Sequence, residues 1–372
     1  MTQRGITFRF LSEEDVIGAG VLDMDACVET IEEVFALVAR GDYLMGGPSQ
    51  NDHGLMMWFP DKPEHPGMPA AGPDRRFMAM IAYLGGTFQI AGEKWYGSNT
   101  ANRDKGLPRS IHTITLNDVE TGAPLALMSG NLISAMRTGA VAGVASRHLA
   151  HPGSNTIAII GAGVISKACA RAIAYATPGA TRVKIFDVDK KRAQEFGADL
   201  KAEFSGAVLI AESLEAAVRD ADVVSVATSG ASAPVILEEW LKPGALLALT
   251  GHTSLADTLY QNSRVVVDNW AMHAALYRDA AEHPSGLKSL ESWAMSADLL
   301  RLWHEEKIQT ADIEELGAYV TKAQNRAENR ATIFISGGMP VEDIAWASRV
   351  HENAKKRELG QILQLWDAPH WA

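Results

Sequence analysis

A glycine turn set between two apolar runs restricts the fold of this chain more than any other feature. One apolar run ends at Ile160 and leads into Gly161 and Gly163; a helix-forming stretch, 164–176, then leads to a second run that ends in Asp187. In a strand–helix–strand unit, the first glycine permits a tight turn, and the second lets backbone N–H groups approach a pyrophosphate at the helix N-terminus. The pattern predicts the first such unit of a dinucleotide-binding domain; a turn that binds no nucleotide is the alternative.

Short apolar runs continue through the second half of the chain and alternate with helical or turn segments, which is typical of a parallel sheet. Ser166 replaces the third glycine of the usual G-x-G-x-x-G pattern, so the prediction depends on this wider context. The predicted fold class is α/β, with a Rossmann-type doubly wound parallel sheet. Its further strands are expected at Val208–Ile210, Val223–Ala227, Leu246–Thr250 and Val265–Val267.

The N-terminal part of the chain has a different pattern. Ser12 and Asp15 have the spacing of a capping box at the start of a helix. Apolar runs bounded by turn residues then predict a small sheet of mostly antiparallel type. Its strands are expected at Phe77–Tyr83, Phe88–Trp95, Ile111–Leu116 and Pro124–Met128.

The length of 372 residues suggests two domains. The tail of the chain carries one more strand-like run, Thr332–Ile335, and then a helix from Val341, and we expect this tail to return to the first sheet. The predicted domains are an α+β domain built from residues 1–130 and 322–372, and an NAD(P)-binding Rossmann domain at residues 131–321.

Charge and composition exclude several functions. The net charge is −11 without a dense Lys/Arg tract, which argues against nucleic-acid binding. Pro152 and Gly153 interrupt the uncharged run 148–166, so we expect no membrane span, and His148 and His151 lack a third partner for a metal site. The N-terminus has no signal-peptide core, and the two cysteines are too few for a disulfide framework. We expect a cytoplasmic protein that binds a small molecule.

Ordered stretches along nearly the whole chain resemble the ornithine cyclodeaminase/μ-crystallin family. The matching segments lie at residues 11–16, 82–86, 92–94, 106–108, 116–126, 137–140, 161–163, 241–244 and 342–345. The resemblance implies that the first domain binds substrate and joins two copies into a homodimer. It does not decide the reaction, because the family includes a deaminating cyclase, amino-acid and opine-type dehydrogenases, imine reductases and a ligand-binding crystallin.

The resemblance also implies roles for three residues. Lys94 would face the nicotinamide and the substrate, and would donate a hydrogen bond to a carboxylate or move a proton from the amine. Arg137 would hold the substrate carboxylate in a bidentate pair, and Thr138 would contact the cofactor phosphates. The alternatives are a lysine on a strand edge and an arginine on a helix surface.

The expected cofactor is NAD, with NADP possible. A carboxylate at Asp187 accepts hydrogen bonds from both ribose hydroxyls and repels a 2′-phosphate, whereas the basic run 190–192 nearby offers groups that could contact one. Besides Thr138 and Asp187, the expected cofactor-binding residues are Gly161, Ala162, Gly163, Val164, Ile165, Ala227, Thr228 and Ser229.

One departure from the family concerns the substrate carboxylate. The family usually has a Pro-x-Arg near the first strand, and the corresponding stretch here places Gln50 at the arginine position. We expect Arg75 or Arg76 to supply the missing guanidinium; two exposed loop arginines are the alternative. His112 lies on a predicted strand and is either a pocket residue or a core histidine.

A second departure lies after the predicted strand Leu246–Thr250. The cyclising deaminases carry an aspartate there, and counting from Leu259 puts His252 at that position. A neutral imidazole can relay a proton near pH 7, but it does not offer the permanent negative charge that holds a second, cationic amine. Ornithine is therefore disfavoured as substrate, and a capping or loop histidine is the alternative reading of His252.

Three functions remain open at this stage. The leading one is an NAD(H)-dependent oxidoreductase acting on the C–N bond of an amino or imino acid, with Lys94 and His252 moving protons. The alternatives are a cyclodeaminase-type lyase that uses NAD catalytically and a crystallin-like protein that binds cofactor and a small ligand. The segment Met272–Glu306 is either a lid or an enlarged contact between subunits.

Overall fold

The computed structural model describes residues 5–229, 232–282, 286–322 and 329–371. The chain forms two compact units. One is built from residues 1–23, 40–134 and 340–372, and the other from residues 24–39 and 135–339. None of the helices in these described ranges is long and apolar enough to span a lipid bilayer.

The first unit contains a mostly antiparallel sheet. Its strands are β1 (Ile6–Leu11), β2 (Tyr43–Met45), β3 (Leu55–Trp58), β4 (Arg76–Leu84), β5 (Ile90–Ser98), β6 (Ser110–Asp118), β7 (Pro124–Ser129) and, at the end of the chain, β16 (Gln361–Trp366). The order across the sheet is β16-β1-β7-β6-β5-β4-β2, and β3 also pairs with β4. The pair β1–β7 is parallel, and the pairs on either side of it are antiparallel.

Two helices complete this unit. Helix α1 (Glu13–Gly18) begins with the predicted capping box, because the side chains of Ser12 and Asp15 accept hydrogen bonds from each other's backbone N–H. Helix α12 (Pro340–Lys356) packs on β4, β5 and β6. In β4, Met78 and Met80 are buried while Ile81 is half-exposed, so one face of the sheet is apolar and covered and the other is open.

The second unit contains a parallel sheet with strands β8 (Thr156–Ile160), β9 (Arg182–Phe186), β10 (Ala207–Ile210), β11 (Val223–Val226), β12 (Leu246–Leu249), β13 (Arg264–Val267), β14 (Ile313–Glu315) and β15 (Thr332–Ile335). Their order is β10-β9-β8-β11-β12-β15-β13-β14. The order reverses at β8, since β9 and β10 lie on one side of it and β11 and β12 on the other. This confirms the doubly wound α/β fold.

Helices connect and flank these strands. They are α2 (Met24–Arg40), α3 (Asn131–Leu149), α4 (Val164–Ala176), α5 (Lys190–Lys201), α6 (Leu214–Val218), α7 (Asp257–Asn262), α8 (Trp270–Glu282), α9 (Leu290–Trp293), α10 (Ala297–His304) and α11 (Leu316–Thr321). Strands β8, β11, β12, β13 and β15 are buried along their whole length, as the near-continuous apolar runs of the sequence indicate. The segment 272–306 is largely helical where it is described.

The tail differs from the prediction. Strand β15 does not join the first sheet; it lies between β12 and β13, paired in parallel with both. The C-terminal segment of the first unit accordingly begins at Pro340, whereas the predicted boundary was residue 322. A four-residue apolar run does not reveal which sheet it joins, but burial on both faces suits the interior of a parallel sheet.

Three strands of the first unit, β1, β2 and β16, and strand β14 of the second unit were not predicted. The six residues of β16 are all exposed, so they carry no pattern of buried and exposed positions. Helix α2 also groups with the second unit, although in sequence it lies between β1 and β2 of the first sheet. The other predicted strands are present, with ends shifted by up to three residues.

Candidate active site

The turn after β8 has the backbone that its glycines predict. Gly161 has φ +107°, which side chains with a Cβ rarely adopt, and an added Cβ would lie 2.7 Å from Ser166 Oγ and 2.8 Å from the Ala227 carbonyl oxygen. Ser166, in place of the third glycine, is fully buried and donates a hydrogen bond of 2.9 Å to that carbonyl. The serine therefore ties the start of α4 to the end of β11.

The N-terminus of α4 is open on the side of the turn. Gly163 is its N-cap without a capping side chain, and an added Cβ there would meet no atom within 4 Å. Val164, the first helical residue, is 67% exposed, so the helix begins at the surface of the unit. The first N–H groups of a helix have no partner within the helix, and together with the helix dipole and a glycine at the N-cap they suit a pyrophosphate group.

Asp187 lies directly beside this turn. It follows β9, and its carboxylate accepts hydrogen bonds from the backbone N–H of Ala162 at 2.7 Å and of Asp189 at 2.8 Å. Of the basic residues that follow, Lys191 pairs with Glu195 and Arg192 with Asp189 on helix α5. The carboxylate at the end of β9 thus lies beside the glycine turn, at the strand end where dinucleotide-binding folds carry an acidic residue.

The loop after β11 lies on the other side of the switch point. It begins with Ala227, Thr228 and Ser229, and Gly251 after β12 packs so closely that an added Cβ would lie 2.8 Å from the Thr228 backbone nitrogen. His252 follows immediately and is half-buried. Burial lowers the pKa of His252, while the charge of Asp298 acts in the opposite direction, so the imidazole is neutral at neutral pH.

Helix α3 carries the two residues expected beside the cofactor. Arg137 is only 6% exposed, so it is not an arginine on a helix surface. Gly139 allows α3 to approach α4, because an added Cβ would lie 2.5 Å from the Ala168 backbone. Thr138, its neighbour in α3, therefore lies next to the helix that begins at the glycine turn.

In the first unit, Lys94 lies on β5, a central strand between β4 and β6, and is 2% exposed. Its Nζ donates to Asp343 Oδ2 at 2.7 Å and to Ser134 Oγ at 3.3 Å. Asp343, on α12, is completely buried. Lys94 is therefore not a solvent-facing lysine on a strand edge; it is half of a buried ion pair.

The structure separates the two candidate arginines. Arg76 lies on β4, bonds the Asp74 carboxylate, donates to Tyr96 Oη at 3.3 Å and stacks on the Trp58 ring. Arg75 donates to the Ala70 carbonyl in the preceding loop instead. Arg76 is the arginine that contacts a side chain on the Lys94 strand.

His112 belongs to the same face of the sheet as Lys94. It pairs across strands with Tyr96, two residues beyond Lys94, and the two rings lie 4.8 Å apart. Gln50 does not belong there: it is an exposed turn residue with φ +55°. The proline-containing stretch forms a tight turn, closed by a hydrogen bond of 3.1 Å from the Gln50 backbone N–H to the Gly47 carbonyl.

Two buried acids were missed by sequence reasoning. Asp343 is 249 positions from Lys94, and no spacing rule links them, although it lies in a segment that resembles the family. Asp268 directly follows β13 and is fully buried. Its position in the sequence could have indicated Asp268, because an acidic residue at the carboxyl end of a parallel strand often lies at a binding site.

Comparison with known proteins agrees with this geometry. The profile of the ornithine cyclodeaminase/mu-crystallin family matches residues 21–358, and the chain belongs to this family. An N-((2S)-2-amino-2-carboxyethyl)-L-glutamate dehydrogenase of Staphylococcus aureus is 26% identical over 362 residues, which cover 96% of this chain and 98% of the relative. The resemblance predicted from the sequence is confirmed.

Two solved structures have the same fold. Thermococcus litoralis Δ1-pyrroline-2-carboxylate reductase, in complex with NADH and L-proline, has a TM-score of 0.76 at 26% identity and covers 95% of this chain and 99% of its own. An archaeal alanine dehydrogenase dimer with bound NAD has a TM-score of 0.77 at 25% identity. The match covers 97% of this chain and 100% of the dehydrogenase chain. These relatives are NAD-binding oxidoreductases of amino and imino acids.

Proposed function

We propose that this protein is an NAD(H)-dependent oxidoreductase that acts on the C–N bond of an amino or imino acid. The observation that carries the proposal is the buried ion pair of Lys94 and Asp343. A buried pair is weak evidence for stability, since apolar residues of similar volume often stabilise a fold as well or better. A chemical role accounts for its presence, and the amino- and imino-acid oxidoreductases among the relatives support that role.

Lys94 is the proposed proton donor and acceptor. The ionised Asp343 favours the ammonium form of Lys94, which can give a proton to the substrate nitrogen during reduction and regain it in the reverse direction. Ser134 Oγ contacts the same Nζ and helps to fix its direction. Bound nicotinamide supplies or accepts the hydride at the carbon that carries the nitrogen.

Arginines account for recognition of the substrate carboxylate. Arg137 presents a planar guanidinium suited to bidentate pairing. We assign Arg76 the place of the arginine that the family usually has near Gln50, because Asp74, Tyr96 and Trp58 hold its side chain. His252, which is neutral, is the second proposed proton relay.

The glycine turn, Thr138, Asp187 and the loop 227–229 are the residues that would hold the dinucleotide. The open N-terminus of α4 fits its pyrophosphate, and the carboxylate of Asp187 favours NAD over NADP. Cys27 and Cys169 are buried and unbridged, which fits a reducing compartment such as the cytoplasm.

We also propose a homodimer formed through the first sheet. The face of this sheet opposite Lys94 exposes large apolar side chains, among them Ile81, Trp95 and Ile111. Contiguous apolar surface of this kind marks an interaction site in a soluble protein. One solved relative, the archaeal alanine dehydrogenase, is described as a dimer.

The experiment that tests the activity is a turnover panel. The purified protein is incubated with NADH or NADPH and 2-oxo acids with amines or cyclic imino acids, and with NAD or NADP and amino acids, while absorbance of the reduced nicotinamide is followed. Stoichiometric consumption or production of NADH supports the oxidoreductase. Ammonia release without net NADH indicates the lyase, and cofactor binding without turnover of any compound indicates a binding protein; either result overturns the proposal.

A further inference from the structure

A chain of buried polar side chains lies at the carboxyl edge of the parallel sheet. Ser296 Oγ lies 2.8 Å from His273 Nδ1, and His273 Nε2 lies 2.8 Å from Asp268 Oδ1. None of the three side chains is exposed to solvent. The fixed order hydroxyl, imidazole, carboxylate holds one tautomer and one ring orientation of the histidine.

Asp268 is the end of this chain and the acceptor of several further hydrogen bonds. Its Oδ2 accepts the backbone N–H groups of Gly337 at 2.7 Å and Gly338 at 2.8 Å, and its Oδ1 accepts that of Asn269 at 2.9 Å. Burial raises the pKa of Asp268, but the bonds from His273 and these amides outweigh burial and hold the pKa below its usual value. The carboxylate is therefore ionised in the folded protein.

The turn that Asp268 holds is packed on two sides. An added Cβ at Gly337 would lie 2.5 Å from Met272 Cε and 2.9 Å from His273 Cε1. Gly338 has φ +81°, and an added Cβ there would lie 2.6 Å from Arg137 Nη1. The same two-glycine turn thus contacts the histidine on one side and the Arg137 guanidinium on the other.

We propose that Asp268, oriented by His273 and Ser296, is a positioning residue that sets Arg137 for the substrate carboxylate through the Gly337–Gly338 turn. The inference rests on the proposed function for the identity of what Arg137 binds. The contacts that define the placement of Arg137 do not depend on it.

Stability alone does not account for the cluster. Burying a carboxylate and an imidazole is costly, and a well-packed apolar core would serve a purely structural role at least as well. The cluster instead holds the Gly337–Gly338 turn, which has no side chains, in its place beside the Arg137 guanidinium. Displacement of a binding group by about 1 Å can cost on the order of 100-fold in rate, so such a support is functionally significant.

The test compares Ser296→Ala and Asp268→Asn with Ser146→Ala. The control removes a buried side-chain hydrogen bond of similar length, Ser146 Oγ to Thr177 Oγ1 at 2.7 Å, in the same unit. We expect the two test variants to raise KM for the amino or imino acid by about 10- to 100-fold with a smaller change in kcat. The NADH dissociation constant, from fluorescence titration, is expected to change no more than in the control, and the rise in KM is expected to exceed what any fall in Tm accounts for.

A second measurement reads the placement of Arg137 without turnover. Phenylglyoxal modification of arginines, followed by mass spectrometry, should be slow at the buried Arg137 of the wild type and faster in Ser296→Ala and Asp268→Asn. Unchanged KM and unchanged modification relative to the control would overturn the inference, as would a loss of activity that follows Tm alone. If no compound of the panel is turned over but Arg137 modification accelerates, the proposed function fails and the positioning role stands.

Discussion

The carboxylate of Asp343 accepts a hydrogen bond of 2.7 Å from Nζ of Lys94, and both side chains are almost wholly removed from solvent. The pair joins the middle of the first sheet to the helix that covers it. A charge in such surroundings is tolerated only with a counter-charge, so each residue sets the chemistry available to the other.

Lys94→Ala should reduce turnover by about 10²- to 10⁴-fold, the range for loss of a general acid–base group. NADH affinity should stay within a few-fold, because Lys94 lies outside the residues proposed to hold the pyrophosphate. Lys184→Ala is the control, since that lysine donates to the backbone carbonyls of Ala216 and Arg219 on the surface of the second unit. Turnover by Lys94→Ala within a few-fold of wild type would place Lys94 outside the chemistry.

Asp343→Asn should destabilise the protein, because it removes the carboxylate that pairs with the buried Lys94 ammonium. The expected loss is about 3–5 kcal/mol in the free energy of unfolding. The double variant Lys94→Met, Asp343→Leu should recover much of that stability while remaining inactive. Urea denaturation of the single and double variants checks this; equal stability of Asp343→Asn and wild type would contradict a buried charged pair.

His252→Ala should lower turnover and remove a limb of the pH–rate profile. Burial lowers the pKa of His252, so the imidazole gains its proton below about pH 6.5, and base function is lost as the pH falls through that folded-state pKa. The unfolded chain binds this proton at higher pH, so His252 also makes the folded state less stable as the pH falls below about 6.5. If His252→Ala kept the wild-type rate and pH–rate profile, His252 would be a loop residue without a role in proton transfer.

The same residue bears on the choice of substrate. With His252 at the place of the cyclising aspartate, the wild type should form no proline from ornithine. His252→Asp should not restore full cyclisation, because the arginine usual at Gln50 is also replaced. Chromatographic assay of proline and ammonia decides the point, and efficient proline formation by the wild type would reject the substrate argument.

Cofactor binding should favour NAD over NADP. Removing the carboxylate in Asp187→Ser should weaken the binding of NAD. It should also narrow the difference in affinity between NAD and NADP, since repulsion of a 2′-phosphate is lost. Lys191→Ala should change neither affinity, because that lysine pairs with Glu195. Dissociation constants from fluorescence titration test this; tighter binding of NADP by the wild type would be incompatible with it.

The first sheet should hold two copies together. Ile81→Glu, at a position 51% exposed on the open face, should convert the dimer to monomer by placing a charge in an apolar contact. Ile17→Glu, 44% exposed on α1, is the control and should remain dimeric. Light scattering of both variants provides the measurement, and a wild type that is monomeric when dilute would exclude the interface.

Local sequence patterns were sufficient to predict most of the strands and helices of the second unit. The turn at Gly161, the helix Val164–Ala176 and the acid at Asp187 follow from backbone requirements that act within a few residues. The buried parallel strands follow from continuous apolar runs. Strand β15 is different, because its four apolar residues predict a strand but do not indicate that it pairs with β12 and β13.

The sequence by itself determined the dinucleotide-binding turn, the α/β class, the antiparallel sheet and the resemblance of Lys94 and Arg137 to family residues. Only the tertiary structure decided that Asp343 pairs with Lys94, that Arg76 rather than Arg75 reaches Tyr96, and that Asp268 supports the turn beside Arg137. The reason is physical: backbone geometry and periodicity are local, whereas the partner of a buried charge is chosen by packing of segments far apart in the chain.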